Sequence, residues 1–161
     1  MEFFKNISLL FCLISGSSQA QFFNNGATVK INSGAVLYST SQITNTSGGT
    51  LTNDGFLGAL YEIENNSAAT LQGNGQYLAN QWINFADFYA DTSTVTLSGA
   101  TTVTIYTGGD AFYNLVINKD NSADVELVDG ATIEKTLFFT QSNNKVIVID
   151  IDLVFGAAAS I

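Results

Sequence analysis

The chain contains no histidine, no arginine and no proline, and its only cysteine is Cys12. Without histidine, it has no imidazole to act as a general base, a metal ligand or a pH switch. Without arginine, it lacks the guanidinium that binds substrate carboxylates in a bidentate way. The absence of proline favours strands paired on both sides, because proline removes a donor from the ladder. We therefore predict no catalytic residue, no cofactor and no metal site.

Positive charge is also scarce. The chain has a net charge of −9 and a pI near 4.1. Its basic residues are five scattered lysines, Lys5, Lys30, Lys119, Lys135 and Lys145. Nucleic acids and anionic membranes are bound by clustered cations. The sequence thus excludes a nucleic-acid partner and disfavours an anionic membrane surface.

The first 20 residues, MEFFKNISLLFCLISGSSQA, are typical of a secretory signal peptide. Lys5 supplies a positive charge, residues 7–14 are apolar, and small residues precede a cleavage point after Ala20. The alternatives are a buried N-terminal strand and a transmembrane anchor, but about eight apolar residues cannot span the roughly 30 Å of a membrane core. Cleavage would also remove Cys12, so the mature chain would have no disulfide. We predict an exported protein without a transmembrane segment, and the lack of disulfides is usual for a bacterial envelope protein.

Residues 21–161 are predicted to form one all-β domain. Apolar and polar residues alternate in short runs that end at Asn, Asp or Gly, and no stretch has helical spacing. The runs are 27–34, 50–55, 94–99, 102–109, 124–130 and 145–156. Thr, Val, Ile and Leu dominate them, and these residues favour half-buried pleated surfaces.

The strands recur at a nearly constant spacing of 20 to 24 residues. Similar segments begin at Thr28-Val29, Thr50-Leu51, Thr70-Leu71, Thr94-Val95 and Asn114-Leu115. Such a period is typical of a solenoid, in which each coil buries its face against its neighbours. We predict a right-handed parallel β-helix, or β-solenoid, of about six coils in which Val29, Leu51 and Leu71 stack in register.

Asparagine-rich turns fit this fold. The turns NNG, TND, ENN and SNN suit sharp corners, because Asn tolerates a left-handed backbone. Stacked Asn or Thr side chains are expected to form hydrogen-bonded ladders between coils. The alternative is an antiparallel β-sandwich with hairpins at 53–55 and 128–130, which explains the alternation but not the recurrence. Residues 56–66 and 81–91 fit the period poorly.

A series of segments follows the opening coils at 26–55: Trp82-Ile83-Asn84, 93–99 (STVTLSG), 112–118 (FYNLVIN) and 130–137 (GATIEKTL). In these segments, which cover most of the mature chain, the sequence resembles the β-solenoid repeat regions of large secreted and cell-surface proteins of Bacteroidota. The resemblance implies an adhesin-like protein exported by type IX secretion, which is secreted or lies on the outer surface of a Gram-negative bacterium. Members of that group usually continue through further coils to a sorting domain. The chain instead stops at LVFGAAASI, so we expect a fragment or a short member with an open, aggregation-prone C-terminal edge.

Acidic residues are the first candidates for chemistry. In IDIDL (149–153), alternation places Asp150 and Asp152 on one face of a strand, where a carboxylate pair could serve acid–base chemistry or hold Ca²⁺. A solvated outer face explains the pair equally. The turns NDG (53–55) and GGD (108–110) resemble fragments of calcium-binding repeats, but Asx turns also account for them. Asn45 and Asn65 match the N-glycosylation pattern, which in a bacterium is expected to be chance.

Aromatic residues are the second candidates. Those of the irregular middle are Tyr61, Tyr77, Trp82, Phe85, Phe88 and Tyr89. They are expected to fill the core or cap an end, and the alternative is a sugar-stacking platform. Two functions follow: a non-catalytic structural or adhesin-like segment of a surface protein, or a carbohydrate-binding or polysaccharide-degrading β-helix. The expected partners are an extracellular polysaccharide, other surface proteins, or further copies that join edge to edge.

Overall fold

The structure is a computed structural model that describes residues 20–66, 68–149 and 151–160. The predicted signal peptide, apart from Ala20, and Asp150 lie outside the described residues. The described part contains strands and turns without a helix, and its strands stack in parallel as a β-solenoid of about seven turns. None of the described residues belongs to a helix long and apolar enough to cross a membrane.

The first four turns have three short strands each, one for every side of the coil. Turn 1 consists of β1 (Phe22–Asn25), β2 (Thr28–Ile31) and β3 (Val36–Ser39). Turn 2 consists of β4 (Ile43–Thr46), β5 (Thr50–Asn53) and β6 (Phe56–Ala59). Turn 3 consists of β7 (Glu62–Asn65), β8 (Thr70–Gln72) and β9 (Gln76–Ala79). Turn 4 consists of β10 (Gln81–Asn84), β11 (Asp87–Tyr89) and β12 (Thr94–Gly99).

The last three turns have two strands each. They are β13 (Val103–Ile105) with β14 (Ala111–Lys119), β15 (Val125–Leu127) with β16 (Ala131–Phe139), and β17 (Val146–Val148) with β18 (Leu153–Phe155). β14 and β16 have nine residues each, and the register between them shifts between Phe112 and Asn114. An extra residue at such an irregularity bends a strand locally. One bent strand can therefore run along two sides of the coil.

The strands form four sheets. The first has the order β1-β4-β7-β10, the second β2-β5-β8-β11, the third β3-β6-β9-β12-β14-β16-β18 and the fourth β13-β15-β17. A parallel bridge between Ile83 and Tyr106 joins the fourth sheet to the first. With strands about 4.8 Å apart, the seven-stranded third sheet is about 29 Å wide.

Alternate residues of each strand fill the interior. In the second sheet, Leu51 and Leu71 are buried in register, while Thr50 and Thr70 beside them are half exposed. The sequence prediction for Val29, Leu51 and Leu71 is therefore confirmed. Every strand pairing of the described residues is parallel, which contradicts the sandwich, and the number of turns is about seven rather than six.

Two expectations about the repeat are wrong in detail. The series of segment starts divides between two sheets: Thr70 pairs with Asp87 in the second sheet, whereas Thr94 pairs with Gln76 and Asn114 in the third. The run 145–156 forms two short strands, β17 and β18, on different sheets rather than one long strand. In both cases the chain turns a corner that alternation alone does not reveal.

Candidate functional site

Four asparagines form a hydrogen-bonded ladder inside the first four turns. The Nδ2 atom of Asn24 donates to Oδ1 of Asn45 at 2.8 Å, Asn45 donates to Asn65 at 2.9 Å, and Asn65 donates to Asn84 at 2.8 Å. All four side chains are buried. Each also donates to a backbone carbonyl, for example Asn24 to that of Ala27 in the same turn and Asn65 to that of Asp87 in the next turn, both at 2.9 Å. The predicted ladder is thus confirmed.

The ladder ends on a carboxylate. Oδ2 of Asp110 accepts hydrogen bonds from Nδ2 of Asn84 at 3.0 Å and from the backbone N–H of Phe88 at 2.8 Å. Asp110 is the aspartate of the GGD turn, and these two bonds give it a structural role there. In the other turn considered for calcium, Asp54 instead pairs with Lys30 at 3.3 Å. The described residues contain no cluster of three or more acidic, His or Cys side chains able to hold a metal ion.

The positions of the asparagines correct one sequence interpretation. Only Asn121 among the described asparagines has a left-handed backbone, whereas Asn24, Asn53, Asn65 and Asn144 of the Asn-rich turns are buried and hydrogen-bonded. Asn therefore occurs at most of these corners for its amide rather than for its backbone freedom. Because Asn45 and Asn65 lie inside the coil, neither amide is accessible for glycosylation in the folded chain.

Lys119 is a fully buried cation that sequence reasoning missed. Its Nζ donates to the carbonyl of Asn80 at 2.6 Å, to Oδ1 of Asn80 at 2.7 Å and to the carbonyl of Ser98 at 2.9 Å, so it ties three successive turns together. Burial lowers the pKa of Lys119 to about 8. The signal was present in the alternation of β14, which continues the inward series Leu115 and Ile117 to position 119.

Half of the aromatic candidates lie in the core. Tyr77, Trp82 and Phe88 are buried and contact one another, with the rings of Trp82 and Phe88 centred 4.8 Å apart. Trp82 and Phe88 also contact Phe112. Burial raises the pKa of the Tyr77 hydroxyl, which donates to the carbonyl of Gln72 at 2.8 Å. The exposed candidates are Tyr61, Phe85 and Tyr89. Core filling is thus confirmed for three of the six, and the six do not form one platform.

The acidic residues occupy corners and outward strand positions. Asp152 lies at the corner before β18 and is exposed, while its predicted partner Asp150 is outside the described residues. On the first sheet, burial and the nearby carboxylate of Glu64 raise the pKa of Glu62. Asp129 in the VDG turn accepts from the backbone N–H groups of Thr107 and Gly108, both at 2.8 Å. This carboxylate therefore fixes the corner of the preceding turn.

The third sheet has an outward surface without charged side chains. This surface is formed by β3, β6, β9 and β12, by β14 from Asn114 onward and by β16 from Thr136 onward. Its residues form two columns in register. The first column is Val36, Phe56, Gln76, Thr94, Asn114 and Thr136; the second is Tyr38, Gly58, Leu78, Thr96, Val116 and Phe138. We call these twelve residues the uncharged face.

A groove borders this face in the first three turns. It has a volume of about 420 Å³ and lies between the corner residues 33–35, 54–55 and 74–75 and the side chains of Val36, Phe56 and Gln76. Asp54 lies in its lining, and hydrogen bonds with Asn74 and Lys30 lower the pKa of this carboxyl. Sequence reasoning did not find the groove, because its walls come from three separate turns.

No family model, curated protein or solved structure matches the chain.

Proposed function

We propose that the chain is a non-catalytic, exported structural or adhesin-like segment of a bacterial cell-surface protein. The observation that supports this most is the continuous seven-turn parallel stack with its internal asparagine ladder. A solenoid of this kind is an extended body whose length grows with the number of coils. Such a body suits a protein that spaces or presents surfaces outside the cell.

The means of stabilisation agree with that role. Coils are joined by parallel strand pairing, by the ladder and by the three hydrogen bonds of Lys119. Buried amides that are fully hydrogen-bonded keep neighbouring strands in a single register. None of these contacts involves a thiol, so they would persist in an oxidising environment outside the cytoplasm.

The experiment is to express the full chain with a C-terminal epitope tag in a Bacteroidota host and to identify its N-terminus by mass spectrometry. We expect the chain to begin at Gln21 and its tag to be accessible to protease or antibody on intact cells. A variant with Leu9→Arg and Leu10→Arg, which interrupts the apolar stretch, should stay inside the cell. An intact Met1 in the cytoplasmic fraction of the unmodified chain would refute the proposal.

A further inference from the structure

The uncharged face contrasts with the rest of the molecule. The net charge of the chain is −9, yet twelve outward residues over six strands of the third sheet are all neutral. The outward positions of the first, second and fourth sheets include Glu62, Glu64, Lys30, Asp87 and Glu126. On the third sheet, exposed charges occur at Glu134 and Lys135 of β16, directly before Thr136. The neutral residues are therefore concentrated in the twelve positions of the uncharged face.

This face combines apolar rings with neutral polar groups. Val36, Tyr38 and Phe138 are 68%, 49% and 52% exposed. The neighbouring positions are the amides Gln76 and Asn114 and threonine hydroxyls, which can both donate and accept hydrogen bonds. Sugar rings present the same mixture, with apolar C–H faces and hydroxyl edges. A flat ligand can thus stack on the rings while its hydroxyls meet the amides and hydroxyls beside them.

The rings at one end of the face lie side by side over a glycine. A Cβ atom on Gly58 would lie 2.7 Å from Cε1 of Phe56 and 2.7 Å from Cδ2 of Tyr38. Both rings therefore lie against the bare backbone of Gly58. Phe56 also lines the groove of about 420 Å³, which falls within the range of about 300–1,000 Å³ typical of ligand sites.

From these observations we propose that the groove and the uncharged face bind a neutral polysaccharide. The charge distribution favours this occupant, because the carboxylate in the groove, Asp54, is already paired with Lys30. None of the twelve residues of the face is a cation that would meet an acidic sugar, and the adjacent Lys135 lies over the ring of Tyr113. The negative field of the chain would also repel an anionic polymer. The proposal rests on the proposed function and deepens it, since an exported chain would meet extracellular polymers of this kind.

The test is affinity electrophoresis of the purified chain in gels that contain dextran, mannan, soluble β-glucan or polygalacturonate. We expect retardation by at least one neutral polymer and none by polygalacturonate. The double variant Tyr38→Ala/Phe56→Ala should weaken binding about tenfold or more, because aromatic anchors carry a large share of binding energy. The matched control is Phe85→Ala, which removes an exposed ring that lies off the uncharged face. Circular dichroism of each variant confirms that the fold is retained.

Three results would overturn the proposal: mobility unchanged by all three neutral polymers, binding that survives the double substitution, or equal retardation by polygalacturonate. A second variant, Val116→Lys, places one charge at the centre of the face and should also reduce binding to the neutral polymer. If the chain instead self-associates as its concentration rises, and if Tyr38→Ala/Phe56→Ala and Val116→Lys each abolish this association, the face is an interface between copies. None of these results bears on export, which the N-terminal analysis decides separately.

Discussion

Asn45 donates a hydrogen bond of 2.9 Å to Asn65, the residue directly in register on the next turn. Asn65 in turn donates to Asn84 and to the carbonyl of Asp87. Each buried amide is thus both a donor and an acceptor in a chain of bonds parallel to the long axis of the solenoid. Removal of Asn65 takes the amide donor away from Oδ1 of Asn84 and from the carbonyl of Asp87, and it takes one acceptor away from Nδ2 of Asn45.

We therefore predict that Asn65→Ala lowers the free energy of unfolding by about 2–3 kcal/mol, because unpaired buried polar groups cost about 1–3 kcal/mol each. The control is Asn66→Ala, next along the chain, whose amide contacts the half-exposed Glu64 and whose loss should cost under about 0.5 kcal/mol. Denaturant unfolding followed by circular dichroism measures both. Equal effects of the two substitutions would show that the ladder adds no stability.

Lys119 predicts a pH dependence of stability. Its pKa is lowered from 10.5 to about 8 in the fold, so the unfolded chain binds more protons than the folded chain between these values. Stability rises with pH wherever the unfolded state binds more protons. The free energy of unfolding should thus increase from pH 8 to pH 10, above which the raised pKa of Tyr77 acts in the opposite direction.

Lys119→Met tests this assignment. The substitution keeps the length of the side chain but leaves the carbonyls of Asn80 and Ser98 without their donor, so we expect a loss of about 1–3 kcal/mol at pH 7. The increase between pH 8 and 10 should also disappear. Lys145→Met, which removes an exposed lysine from the corner before β17, should change neither quantity. A slope that persists in Lys119→Met would assign the titration to another group.

The glycines of turn 2 predict two different outcomes. A Cβ on Gly55 would lie 2.4 Å from the carbonyl oxygen of Ala35 and 2.5 Å from that of Asn32, so the corner could not keep its stacking distance. Gly55→Ala should lower the free energy of unfolding by about 1–3 kcal/mol. Gly58→Ala meets only the rings of Phe56 and Tyr38, which can move, and it should cost less. Thermal unfolding of the two variants makes the comparison; a smaller loss for Gly55→Ala would contradict it.

The fold class was predictable because its signals are local and repeated. Alternation identifies each strand, and the spacings of 21, 20 and 19 residues between ladder asparagines are close to the period seen in the strand starts. The assignment of strands to sheets was not predictable, because corners differ in length: 20 residues separate Thr50 from Thr70, but only 17 separate Thr70 from Asp87. Without that assignment, the uncharged face and its groove cannot be recognised, since their residues are scattered over more than 100 positions of the chain.

The final prediction concerns the strands of turn 7. Among the described residues, β17 pairs only with β15, and β18 only with β16, so one side of each strand has backbone groups free to pair with another chain. At the other end of the stack, β1, β2 and β3 also have one neighbour each within the part of the chain that the structure describes. A head-to-tail contact between these unlike edges can repeat without closing. We therefore expect the purified chain to associate as its concentration rises, more so at high salt, which screens the charge of −9.

The position of the test substitution follows from the register. Val148 in β17 is not suitable for a charged substitution at this edge. It is in register with the buried Leu127, so a lysine at this position would disturb the interior. Val154 in β18 is 48% exposed and in register with Thr132, so Val154→Lys places a charge beside the edge without entering the core. Light scattering should show less association for this variant than for Thr104→Lys. The charge of Thr104→Lys lies on β13, which is separated from β17 of turn 7 by β15. A monodisperse monomer for the unmodified chain at all concentrations and salt levels would contradict edge-to-edge association.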